Sequence, residues 1–205
     1  MIQHHPSEAT LLAHAAGMLP EPHRIVMRTH LALCNDCDPT AHLATELGGV
    51  LFDALPPVEM SKNALARTLS RLGDRDTASA PHRTPTTAAE FATGRWWWLG
   101  PGLRLMPLRP RDADDARLDL IRVAPGVALP GHGHTGTELT CVLQGAFTDE
   151  TGEYHTGDMA EGDADLQHQP LALATGRDCI CLIATTGRLR AHGRLARLMQ
   201  RIVGV

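Results

Sequence analysis

The sequence predicts a multidomain α plus all-β chain: a small helical domain over residues 1–75, a linker over 76–90, and a β-sandwich or barrel over 91–205. Apolar residues recur at helical steps as far as about Arg75. The stretch from Gly73 to Glu90, GDRDTASAPHRTPTTAAE, then carries no large apolar side chain. Beyond it come short apolar or alternating runs, WWWL, LRLMPL, ARLDLIRV, ELTCVLQG and DCICLIAT, parted by Gly, Pro and Asp as strands are parted by turns. A chain of 205 residues is long for one core and sufficient for one small domain plus one of ordinary size.

The helices follow from their stripes and stop signals. Leu11, Leu12, Ala15 and Leu19 mark the first, with Ser7 as its N-cap. A second begins near Glu21, after Pro20, and runs toward Cys34. Leu43, Leu47, Val50, Leu51 and Ala54 form one stripe of a third, which Pro56-Pro57 ends because proline cannot continue the hydrogen-bond ladder. Leu65, Leu69 and Leu72 place a fourth after Ser61. At the far end, Leu189 to Ile202 has the spacing of a C-terminal helix with Leu195, Leu198 and Ile202 on one face.

Composition narrows the function. With 43% hydrophobic and 20% charged residues the chain can bury a core and is not disordered overall. A formal charge of −4 argues against a direct nucleic-acid partner, which needs a clustered excess of Lys and Arg. The start, Met1-Ile2-Gln3-His4-His5, lacks the charged and apolar regions of a signal peptide, and no apolar run approaches the roughly 20 residues that span a bilayer. The expected location is the cytoplasm, with no membrane partner. Five cysteines are odd in number and too few for a disulfide scaffold, so in a reducing compartment they are expected as ligands or sensors.

The first chemical constellation is His30-Leu31-Ala32-Leu33-Cys34-Asn35-Asp36-Cys37, an HxxxCxxC run. On a helix, steps of four and three residues keep the three side chains within a sector of roughly 60°, so they can face one ion. Thiolate and imidazole suit zinc, and a tetrahedral site needs a fourth ligand, for which His4 and His5 are the nearby candidates. This segment resembles the zinc-binding anti-sigma factors, whose small helical domain carries a His about 25 residues before an HxxxCxxC motif. His5 lies 25 residues before His30, so the resemblance implies His5, His30, Cys34 and Cys37 as zinc ligands. The additional cysteine of redox-switching members is missing from the first 33 residues.

The second constellation lies in GVALPGHGHTGTELTCVLQG, from Gly126 to Gly145. On a strand His132 and His134 share a face, and Glu138 follows after a short turn. Imidazoles with a carboxylate suit zinc or another divalent transition metal such as Fe, Mn or Ni. The pattern G-x5-H-x-H-x3-E-x6-G is similar to the first motif of the cupins, jelly-roll β-barrels. Eleven residues after Gly157, His168 is similarly placed to the histidine of their second motif, with His155 as the less favoured alternative. Asp163, Asp165 and Ala172 depart from that motif, standing where the family usually has Pro, Gly and Asn.

Cys179-Ile180-Cys181 would set two sulfurs on one strand face, either as core packing or as oxidisable thiols beside the metal cavity. Trp96, Trp97 and Trp98 are expected in barrel packing, an edge strand or a domain contact. Domain order and both ligand sets together resemble the ChrR-type anti-sigma factors, cupin-containing members of the zinc-binding anti-sigma family. The resemblance implies a regulator and not an enzyme. Its partner would be an extracytoplasmic-function sigma factor, held by the helical domain and released when the cupin senses singlet oxygen or organic peroxide. The alternative is a cupin dioxygenase or isomerase with an accessory zinc domain, since the same metal set supports oxygen chemistry.

Overall fold

A computed structural model describes residues 1–73 and 84–191 of the chain. Helix α1 (Glu8–Ala15) starts at Ser7, whose hydroxyl accepts from the Thr10 amide at 3.2 Å and satisfies one orphan donor of the first turn. Helix α2 (Glu21–Leu33) carries Pro22 in its first turn, where a missing N–H costs nothing. Helix α3 (Asp38–Asp53) likewise opens on Pro39 and stops ahead of Pro56-Pro57, and α4 (Ala64–Gly73) follows. Among the described residues no helix is long and apolar enough to cross a membrane. Of the segment expected as linker, residues 84–90 are described. There Thr87 and Glu90 form a reciprocal capping box on the single turn α5 (Ala88–Phe91), which buries Phe91 in the core.

The strands are β1 (Trp97–Gly100), β2 (Leu103–Arg109), β3 (Ala116–Val123), β4 (His132–His134), β5 (Glu138–Gln144), β6 (Ala146–Asp149), β7 (Gly152–His155), β8 (Met159–Gly162), β9 (Gln167–His168), β10 (Leu171–Ala172), β11 (Cys179–Thr186) and β12 (Leu189–Ala191). They form a six-stranded sheet in the order β1-β2-β3-β11-β5-β8 and two three-stranded sheets, β10-β6-β7 and β12-β4-β9. The pairings are antiparallel throughout. The helix expected from Leu189 gives way at its start to β12, which pairs Leu189 with His134 and Ala191 with His132. The rest of that segment, with Leu195, Leu198 and Ile202, lies outside the described residues.

The six-stranded sheet is covered on both faces, and strand alternation sorts its side chains between them. Leu118, Leu120, Leu139, Cys141, Leu143, Ile180, Leu182 and Ala184 join one core with Leu11 of α1 and Val26 and Met27 of α2. Ile121, Val123, Val142, Cys179 and Cys181 point the other way, into the barrel with Phe147, Tyr154 and Ala172. Two buried faces explain why β3 and β11 read as near-continuous apolar runs.

Helix α2 seats His23, Val26, Met27 and His30, one helical face, against this sheet. Burial of Val26 and Met27, each with no exposed surface, contributes about 1.5–3 kcal/mol apiece. α1 and α2 thus share the core of the β-domain. α3 buries none of its residues, and its apolar stripe faces outward, with Leu43 65%, Val50 66% and Phe52 73% exposed.

Candidate metal centres

The HxxxCxxC residues do converge, but not by helical stagger. α2 ends at Leu33; Cys34 is its C-cap, in an extended conformation (φ −108°, ψ 106°), and Cys37 is the N-cap of α3. The cysteines therefore sit in the turn between two helices, and the extended Cys34 swings the chain so that Cys37 returns over His30. His5 Nδ1 lies 3.3 Å from Cys34 Sγ and 3.2 Å from Cys37 Sγ, and His30 Nε2 lies 3.4 Å from Cys37 Sγ. Bond lengths to zinc put a tetrahedral N···S edge at about 3.5 Å, so the donors and their spacing fit that ion. Of the four, only His5 is exposed.

Two features tune this cluster. The second ring nitrogen of His30, Nδ1, donates to the Gly157 carbonyl at 2.9 Å, which turns the Nε2 lone pair toward the sulfurs. Burial, reinforced by Cys34, pushes the Cys37 thiol up to about 12. A bound dication supplies the charge that would favour the thiolate. His4, the alternative ligand, points elsewhere: its ring packs on Tyr154 with centroids 4.4 Å apart.

The segment that delivers His5 is fastened to the barrel. Asp158, fully buried, accepts from the Gln3 amide at 2.7 Å and the His4 amide at 3.2 Å through Oδ1, and from the His155 amide at 2.8 Å through Oδ2. The Met159 amide donates to the His4 carbonyl at 3.0 Å, and Glu161 accepts from the Ser7 amide at 3.0 Å. Gly157 sits at φ 98°, and a Cβ there would meet the Ile2 side chain at 2.7 Å. The barrel turn before β8 thus holds both the N-terminal segment and His30. Nothing in the sequence around Asp158 signals this, because its partners in the N-terminal segment, Gln3 and His4, are more than 150 positions away.

In the barrel, β4 presents His132 and His134, and the β4–β9 register sets His168 directly opposite His132. His168 Nε2 lies 3.1 Å from His132 Nε2 and 3.4 Å from His134 Nε2. Three converging imidazoles fit a divalent transition metal, which when bound would act as a Lewis acid toward an oxygen donor. Glu138 Oε2 comes within 3.5 Å of His134 Nε2, while its Oε1 accepts from Thr140 at 3.2 Å; the mutually close set comprises the three histidines. The outer nitrogens are held: His132 Nδ1 donates to the Pro130 carbonyl and His168 Nδ1 pairs with Asp149, each at 2.8 Å. Burial lowers the pKa of His168, but the Asp149 hydrogen bond, aided by Glu138, more than reverses this and leaves it raised. Asp149, like Asp158, is a partner the sequence motifs did not mark. His155 lies outside the cluster, half exposed and paired with Glu153 at 2.9 Å. At the turn where the chain departs from the cupin pattern, the Asp163 carboxylate accepts from the Asp165 and Leu166 amides at 2.9 and 3.1 Å, making the turn by side-chain capping.

Cys179 and Cys181 share the inner face of β11 with their sulfurs 3.6 Å apart, and both line the cavity that His132, His134 and His168 face. The Cys179 hydrogen bond and burial push the Cys181 thiol well above its ordinary range, so it is held protonated. Trp96 packs against the first core, whereas Trp97 and Trp98 are exposed on the edge strand β1.

Helix α2 also reaches this second centre. His23 is buried, with its Nε2 3.3 Å from the hydroxyl of Thr137, the residue before Glu138.

The residues 84–188 match the family model of the ChrR cupin-like domain. The anti-sigma-E factor ChrR of Cereibacter sphaeroides is 40% identical over 209 residues, covering 97% of each chain. This chain belongs to the ChrR family. The crystal structure of Rhodobacter sphaeroides SigE in complex with the anti-sigma ChrR contains a chain that matches with a TM-score of 0.77 at 40% identity, over 90% of this chain and 99% of that one. An RmlC-like cupin of Ralstonia eutropha is more distant, with a TM-score of 0.45 and 20% identity over 54% of this chain and 80% of its own. The architecture is that of the ChrR family: a small helical region followed by a cupin-like β-domain.

Proposed function

We propose that this chain is an anti-sigma factor: its helical part holds an extracytoplasmic-function sigma factor away from RNA polymerase in the cytoplasm, and its cupin governs release under oxidative stress. The role is regulatory. The observation that carries the reading is the outward apolar stripe of α3 and α4, where Leu43, Leu47, Val50, Leu51, Leu65 and Leu69 are each more than half exposed. So large an apolar surface on a soluble fold marks a protein partner. The relative whose solved structure this chain matches over 90% of its length is an anti-sigma factor bound to its sigma factor. His5, His30, Cys34 and Cys37 would hold zinc and fix the start of α3 to the end of α2, thereby aiming the stripe. His132, His134 and His168, joined by Glu138 through a rotation of its carboxylate, would hold the cupin metal, and singlet oxygen or an organic peroxide would be the signal.

The test is co-purification with an extracytoplasmic-function sigma factor of the source organism. Leu47→Asp combined with Val50→Asp, both more than half exposed, is expected to abolish the complex while leaving circular dichroism and zinc content unchanged. A complex of undiminished affinity would overturn the assignment of this surface.

A further inference from the structure

We infer that the cupin barrel is a binding site for a predominantly apolar organic molecule with one oxygen-donor head group, of the fatty-acid class. The barrel holds a partly open cavity of about 730 Å³, within the range of pockets that take up a small organic ligand. Its walls are side chains of the sheet's inner face and the facing loops, among them Leu103, Ile121, Val123, Val127, Leu129 and Ile183. None of these offers a hydrogen bond, so they complement a hydrocarbon body.

The polar groups that reach the cavity are mostly committed to one another. Asp119 is paired with Arg117 at 2.7 Å, and Arg111 donates to the Asp115 and Gly187 carbonyls. The hydroxyl of Thr140 is engaged by Glu138, that of Thr151 by Asp149, and that of Thr186 by Thr137. A sugar or nucleotide, with polar groups all round, would leave many of them desolvated and unpaired in such a cavity. The inward polar atoms gather in one cluster: the converging Nε2 atoms of His132, His134 and His168 together with the Glu138 carboxylate, whose Oε2 lies 3.5 Å from His134 Nε2. One polar locus on an apolar wall calls for a ligand with one polar head on an apolar body. The two buried sulfurs of Cys179 and Cys181 line the same space and, as soft apolar groups, continue the hydrocarbon-like surface.

This inference names a ligand for the cupin site. Binding does not depend on the sigma-factor reading; any effect on sigma release does. The probe is decanoic acid, titrated calorimetrically into the full-length protein supplied with zinc, with 1-decanol and acetate as partial mimics. One saturable decanoic acid per chain is expected, with acetate at least 100-fold weaker because it lacks the body and decanol about 10-fold weaker because its head is a poorer metal ligand. Val123→Trp and Ile183→Trp, each filling the cavity from the inner face, should weaken decanoic acid at least 10-fold while N-terminal zinc content stays at the wild-type value. Two variants are used so that a folding failure in one leaves the other decisive. Absence of saturable binding, or undiminished binding in a folded Trp variant, overturns the inference. A chain that binds decanoic acid without binding a sigma factor overturns only the reading of the helical surface. The converse overturns only the ligand class.

Discussion

Replacing Asp158 by Ala should loosen zinc in a cluster to which Asp158 contributes no ligand. Its carboxylate accepts three backbone N–H groups, from Gln3 at 2.7 Å, His4 at 3.2 Å and His155 at 2.8 Å. Hydrogen bonds to a charged acceptor contribute about 1.5–3 kcal/mol each, and the long His4 bond belongs at or below the bottom of that range. The two bonds to the N-terminal segment together hold about 2–4 kcal/mol of its docking. His5 follows directly in the chain and is the one exposed member of the His5, His30, Cys34 and Cys37 cluster, so its position depends on that docking. If half of the docking energy is coupled to zinc, about 1–2 kcal/mol, the affinity falls roughly 5- to 30-fold. Competition with a chromophoric chelator measures it, alongside circular dichroism to verify the fold. An affinity within two-fold of wild type in a folded Asp158→Ala protein would refute the claim that the barrel sets the position of His5.

Other consequences of the same geometry are as direct. Gly157→Ala places a Cβ at φ 98° and 2.7 Å from Ile2, so it should undock the same segment and lower zinc affinity, and the double variant with Ile2→Ala should recover part of the loss by removing the clash, read by the same competition. His5→Ala should cost at least 100-fold in zinc affinity because it removes one of four donors, whereas His4→Ala removes only the packing on Tyr154 and should cost less than 10-fold; metal analysis after dialysis orders the two. Arg117→Ala leaves Asp119 buried without its ion-pair partner, and burial already raises the Asp119 pKa despite that partner. It should lower stability by about 3–5 kcal/mol, measured by denaturant titration, and a loss below about 1 kcal/mol would show that water reaches the Asp119 carboxylate.

Short-range pattern made much of this molecule legible. Ser7 at the start of α1, Pro56-Pro57 after α3 and the short apolar runs of β5 and β11 are local signals, and the elements follow them. The histidines of β4 are two residues apart, so strand geometry alone puts them on one face. Long-range facts had no such signal. The stripe of His23, Val26, Met27 and His30 looks the same whether it packs on helices or on a sheet, and only the fold shows that it lies on β3, β5 and β11. Leu43, Leu47, Val50 and Leu51 have the spacing of a core stripe but face outward, since periodicity identifies an apolar face and not what covers it. The cluster at Cys34 and Cys37 was foreseen by a helical argument, yet a turn assembles it, because the spacing that suits a helix also suits a helix end followed by a return.

The two candidate metal centres are joined by one helix. His23 and His30 are seven residues apart on α2, about 10 Å along its axis, and both are buried on the face that meets the sheet. At one end His23 touches Thr137, which precedes Glu138 in the barrel centre. At the other, His30 is a member of the His/Cys cluster and donates to Gly157. The turn of Gly157 and Asp158 gives a second path, from the strand β8 that pairs with Glu138 to the segment carrying His5. Two separate connections from the barrel thus end on two different members of the His5, His30, Cys34 and Cys37 cluster: α2 carries His30, and the turn of Gly157 and Asp158 holds the segment carrying His5.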